Sequence, residues 1–203
     1  MHLDLVGARI DKYLCSIYAG EVMQKENLSK LDVAKRQMNE AIRLFFESRD
    51  TVSIHTLAAA ANQVLTDLCN SQGVGTPMRD GKRIKESRRK EWRKAMKAAE
   101  NFFKHADHDP DRMYGFNAKL TEFVLLDSAV MYSALTGRGT YEAIVFQSWY
   151  FLKYPDTLLD SNLKTTLMEN AVHLNVSPDD FDLFRDLLKN RHLLSPNAAV
   201  HVD

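Results

Sequence analysis

The stretch from Asn101 to Asp111, NFFKHADHDPD, concentrates the groups best suited to chemistry. Imidazoles at His105 and His108 and carboxylates at Asp107, Asp109 and Asp111 are ligand types for a divalent metal, with His105, Asp107 and His108 the leading set, provided a loop gathers residues so close in sequence. The same cluster also reads as a solvated helix terminus in which Asp and His side chains bond the turn backbone. Just upstream, residues 82–97 hold nine cations against Glu86 and Glu91. Arg89, Arg93 and Lys97, with Lys104 beyond the run, have the charge to contact the phosphates of RNA without reading base sequence. A solvated helical face is the alternative meaning of such a run. Two further groups stand inside apolar patterns. His55 is either a helix-start residue bonded to backbone or solvent, or a group with a catalytic or binding role. Asp127 is a carboxylate whose burial is costly without a partner, either bonded to a tyrosine, serine or histidine or orienting a histidine.

Helices must position these groups. Trp92, Ala95, Met96, Ala99, Phe102 and Phe103 recur at steps of three and four, which places them on one face of a helix that has to be buried. Asn101 and His105, four apart, are neighbours at the rim of that face, and Pro110 ends the helical region by biasing Asp109 away from it. Ser29 can serve as N-cap for a helix running to about Phe46, and Ser53 for a second, antiparallel helix striped by Ile54, Leu57, Ala58, Ala61, Val64, Leu65 and Leu68. Along the second helix His55, Ala59, Asn62 and Thr66 form a polar or small line, and its LAAAAN centre lets a neighbour approach closely. Residues 70–81, with three glycines and a proline, read as a loop. Asn117 can cap the almost wholly apolar AKLTEFVLLDSAVMYSAL, ended by Gly137 and Gly139 and suited to the middle of a bundle. Tyr141 to Lys153 follows, closed by Pro155. Thr157 or Asp160 opens the next helix, with Leu163, Thr166, Leu167 and Ala171 on its buried side. The last is expected to start at Ser177 and Pro178 and to pack through Phe181, Phe184, Leu187, Leu188 and Leu193. The fold class is therefore all-α, a bundle of about six to seven helices forming a single domain over residues 1–203, with 1–27 and 195–203 as ill-defined ends.

Composition narrows the function. Lysine plus arginine and aspartate plus glutamate are 27 each, so no global field draws the chain to nucleic acid or acidic membrane, and any such attraction is local. Cys15 and Cys69 are the two cysteines and lack paired or metal-type spacing. With no apolar run long enough to cross a bilayer, a cytoplasmic protein without membrane contact is expected. Walker-type phosphate loops, dinucleotide fingerprints and nucleophile elbows are missing. Di-metal bundle chemistry needs two Glu-x-x-His motifs, whereas Glu169 and His173 stand four apart and alone.

The segment Glu100-Asn101-Phe102-Phe103-Lys104-His105 resembles a degenerate form of the HEPN-domain motif, in which an arginine is followed, commonly through an asparagine, by a histidine five residues later. The resemblance covers these six residues, with Asn101 and His105 on the motif and Glu100 where the arginine stands. It implies a small α-helical bundle, often dimeric. Many members cleave RNA with the arginine and histidine of two chains brought together, and others are non-catalytic partners in toxin or antiphage systems. By this resemblance Asn101 and His105 are the candidate catalytic pair, while an anion at position 100 would repel phosphate. The expected function is macromolecular association, with a second copy or another protein as partner. The alternatives are a HEPN-type ribonuclease or nucleotide-binding protein using His105 as general base, with RNA held by residues 82–97, and a metal-dependent enzyme at the cluster from His105 to Asp111.

Overall fold

The first helix, α1 (Lys30–Phe46), starts where its cap predicts. The Ser29 hydroxyl accepts the Asp32 amide at 3.0 Å and the Asp32 carboxylate accepts the Ser29 amide at 3.1 Å, a reciprocal capping box worth about 1 kcal/mol. This is seen in a computed structural model that describes residues 25–75, 86–107, 109–158 and 161–190, the side chains of Trp92, Arg93 and Ser161 excepted. The expectations for residues 1–24, for 76–85, for Trp92 and Arg93 as side chains, and for His108, Asp160, Leu193 and 195–203 therefore lie outside the described residues. The described residues hold seven α-helices and no strand: α1, α2 (Thr51–Ser71), α3 (Arg89–Lys104), α4 (Lys119–Thr136), α5 (Tyr141–Lys153), α6 (Ser161–His173) and α7 (Phe181–Lys189). None of these helices is long and apolar enough to cross a membrane.

Side-chain contacts fix the directions of the helices. His55 on α2 meets Thr121 on α4, Asn62 meets Asp127 and Ser128, and Thr66 meets Met131, so the partner numbers rise together and the two helices run parallel. Helix α3 returns between them in sequence, because its C-terminal Phe103 lies against His55 at the start of α2. Helix α5 turns back on α4, with Lys153 at its end bonded to Glu122 at the start of α4. It runs parallel to α1, through Thr140 with Asn39, Glu142 with Arg43, and Trp149 with Phe45 and Phe46. The rings of Phe45, Phe46, Phe146, Trp149, Phe181 and Phe184 meet mostly edge to face and bring α7 onto the α1–α5 side. Each such pair adds about 1 kcal/mol beyond the area it buries.

Four local expectations are corrected. Asp50, not Ser53, caps α2: its carboxylate accepts the Ser53 amide at 2.8 Å, and the Ser53 hydroxyl also donates to it. The last helix begins at Phe181, capped by Asp180, while Ser177 and Pro178 form a turn before it in which Ser177 Oγ accepts the Asp179 amide. In α6, Leu163 is 54% exposed and Thr166 is exposed, because only α5 lies substantially against that helix and Ala171 is its buried residue. Ala95 is exposed on α3, at the edge of a face narrower than its apolar pattern. By contrast α4 is buried almost all round, as its sequence predicts, and Gly137 ends it in the left-handed region at φ 78°.

Candidate functional site

Helix α3 divides its two faces between core and solvent. Met96, Ala99 and Glu100 are buried and Phe103 is half-buried, while Lys94, Ala98, Asn101 and His105 follow at steps of four, three and four along the outer side. Phe102 stacks on Tyr114 with ring centroids 5.2 Å apart, and Phe103 meets Phe116 at 5.2 Å, so two aromatic pairs fold the segment after α3 back against it. Asp107, Asp109 and Arg112 are thereby placed opposite the outer stripe. Together with Lys94, Ala98, Asn101, Phe102 and His105 they line a hollow of about 600 Å³. Arg112 donates to Asp109 at 2.9 Å, and the His105 amide closes the helix by donating to the Asn101 carbonyl at 3.1 Å.

The structure therefore brings Asn101, His105 and Asp107 into one hollow, all three exposed. Among the described residues no three His, Cys, Asp or Glu side chains converge closely enough to hold a metal ion. Arg89 and Lys97 are on α3 but do not line the hollow, and Lys104 is bonded to Glu100 at 2.6 Å. Glu100 is itself buried and faces inwards, so the anion at the place of the HEPN arginine does not line the hollow beside Asn101 and His105. Lys94 and Arg112 were not singled out by sequence reasoning. The stripe from Lys94 to His105 carried a signal for the first, whereas Arg112 arrives through the Phe102–Tyr114 stack, which no local pattern announces.

His55 and Asp127 are both fully buried, and they do not converge on the hollow. The reading of His55 as a solvated or backbone-bonded helix-start residue is corrected. The end of α3, the segment after it and α4 all cover the start of α2 there. Its Nδ1 pairs with Thr121 Oγ1 at 3.0 Å, and its ring is bordered by Phe103 at 5.8 Å and Phe116 at 5.0 Å. Burial holds its pKa below the ordinary imidazole value, a pull that the nearby Glu100 charge opposes. Asp127 Oδ2 accepts from Asn62 at 3.0 Å, two turns of α2 away from His55.

No family model, curated protein or solved structure matches the chain. The functional reading accordingly rests on the chemistry of the α3 hollow.

Proposed function

We propose that the protein acts by macromolecular association through the α3 hollow, and that the partner is a second copy of the chain. The observation carrying this reading is the charge layout of the hollow. Lys94 stands at the α3 end, Asp107 and the Asp109–Arg112 pair stand at the other, and Ala98 and Phe102 supply a small and an apolar surface between them. Two copies laid antiparallel would set the Lys94 end of each against the Asp107 end of the other, a self-complementary arrangement of the kind a two-fold interface requires. A polyanion would meet Asp107 and Asp109 as well as Lys94 and Arg112, so the hollow offers it no net attraction. Sedimentation of the native protein against Lys94→Glu and Asp107→Lys tests this. Each single reversal should weaken association about ten-fold, and the double reversal should recover part of it. A native protein that stays monomeric at high micromolar concentration overturns the reading.

A second reading, a HEPN-type ribonuclease, is favoured by one observation: Lys94 and Lys97 are exposed on the helix that carries Asn101 and His105. In it the cations hold RNA phosphates, His105 acts as general base and Asn101 supports it. Incubation with mixed RNA, with His105→Ala as control, tests it, and absence of cleavage by the native protein ends it.

A further inference from the structure

We propose that His55 is an acid-sensitive latch holding the C-terminal half of α3 on the bundle, and so regulates the hollow that α3 forms. The inference rests on the association reading for its purpose, although the latch itself is a property of the single chain.

The geometry makes the neutral ring a condition of docking. His55 Nε2 is buried without a hydrogen-bond partner, and Nδ1 has one, the Thr121 hydroxyl. A neutral imidazole needs one donor bond and tolerates a bare acceptor, so it fits this site. A protonated imidazole carries two N–H donors and would find one acceptor. The second donor would point at a boundary made by the Phe103 and Phe116 rings, where neither carbonyl nor carboxylate is bonded to it.

The charged groups around the ring do not supply the missing acceptor. On α3 it is Glu100 whose field reaches the imidazole, but its Oε1 is turned to Lys104 at 2.6 Å and His55 Nε2 has no bond to either oxygen. On α4 the residue after Thr121 is Glu122, whose two oxygens are taken by Lys153 at the end of α5 and by Tyr154 just beyond it, each at 2.9 Å. The segment after α3 presents Phe116. The residues of α2 one turn away, Thr51, Ala58 and Ala59, carry no charge.

Water must reach Nε2 before the charged form is tolerated. The two rings in the way, Phe103 and Phe116, are only half-buried, and they belong to α3 and the segment after it. On the other side α2 and α4 are joined by the buried Asn62–Asp127 bond and by the main core. Opening at α3 is therefore the route that disturbs least. The sign follows: the closed form keeps His55 neutral, while the opened form titrates near the ordinary value of about 6.5, so acid favours opening. Between pH 7.5 and 5.5 the opening equilibrium should rise about ten-fold, with association through the hollow weakening to match.

Amide hydrogen exchange read by mass spectrometry tests the latch, after correction for the pH dependence of exchange itself. Residues 96–104 of the native protein should lose about ten-fold protection between pH 7.5 and 5.5, while residues 62–69 of α2 keep theirs. His55→Gln, neutral at every pH, should abolish the difference. Lys94→Glu, which targets association and leaves the latch intact, should retain it. If the pH effect is absent, persists in His55→Gln, or vanishes in Lys94→Glu, the latch is overturned. A monomeric native protein that still shows the effect overturns the association reading alone. Should His55→Gln fail to fold, imidazole NMR on the native protein serves instead: a His55 ring that titrates at about 6.5 with α3 still protected refutes the proposal.

Discussion

Replacing Asn62 by alanine tests whether the α2–α4 seam is held by its polar rungs or by apolar packing alone. The Asn62 side chain, fully buried, donates to Asp127 Oδ2 at 3.0 Å and to Ser128 Oγ at 3.1 Å, with a longer 3.4 Å approach to the Val124 carbonyl. The last contributes little, because that carbonyl already accepts the Ser128 hydroxyl at 2.7 Å. Loss of the bond to a carboxyl costs about 2 kcal/mol and loss of the neutral one about 1 kcal/mol. The truncated side chain leaves a small cavity worth about a further 1 kcal/mol. The sum, about 4 kcal/mol, corresponds to a fall in Tm of about 8 to 15 °C for a chain of this length. Asp67→Ala is the control on the same helix, since it removes only the exposed bond from Gln63 and should cost about 0.3 kcal/mol. Urea unfolding followed by circular dichroism measures both. An Asn62→Ala cost below about 1 kcal/mol, indistinguishable from the control, would refute the assignment of a structural role to this bond.

Three other outcomes are expected. Thr140→Ala removes both the cap acceptor for the Ala143 amide and the hydroxyl that donates to Asn39, so it should cost about 2 kcal/mol in thermal unfolding, while Thr140→Ser should restore most of it. Phe184→Ala, which deletes a ring 2% exposed and stacked on Phe46 at 5.3 Å, should cost about 3 kcal/mol, with exchange protection of α7 falling before that of α2. Burial pushes the Tyr150 phenol up to about 12, so the folded state holds this proton where the unfolded chain releases it near 10. Its contribution to stability is thus complete below pH 10 and is lost as pH rises towards 12, and ultraviolet titration of Tyr150→Phe should lack the latest-ionising tyrosine.

Much of the fold is readable from the chain because helical periodicity is local. The Ser29 cap, the stripe of α1, the all-round apolar α4 and its Gly137 stop depend on residues within a turn or two of one another. Burial is less readable, since a pattern names a face and not the neighbour that covers it. Leu163 belongs to an apolar stripe that little covers, whereas His55 sits at a helix start that α3 and Phe116 enclose from far along the chain. The caps of α2 and α7 were displaced by three residues or fewer, in each case because the chain leaves its turn at an aspartate that reaches the first free amides. Within the site, the helical spacing of Asn101 and His105 announces their shared stripe, but Arg112 and the aspartates face it only once Phe102 stacks on Tyr114.

The parallel course of α2 and α4 bears on how the chain is made. When the α1–α2 hairpin leaves the ribosome, the strand of sequence that will cover it is still more than forty residues from completion, since α4 begins at Lys119. During that interval the side awaiting α4 offers His55, Asn62 and Thr66 among small alanines, groups that water can solvate, in place of a continuous greasy strip. The nascent hairpin is accordingly wettable while it waits, which disfavours premature clumping between neighbouring growing chains.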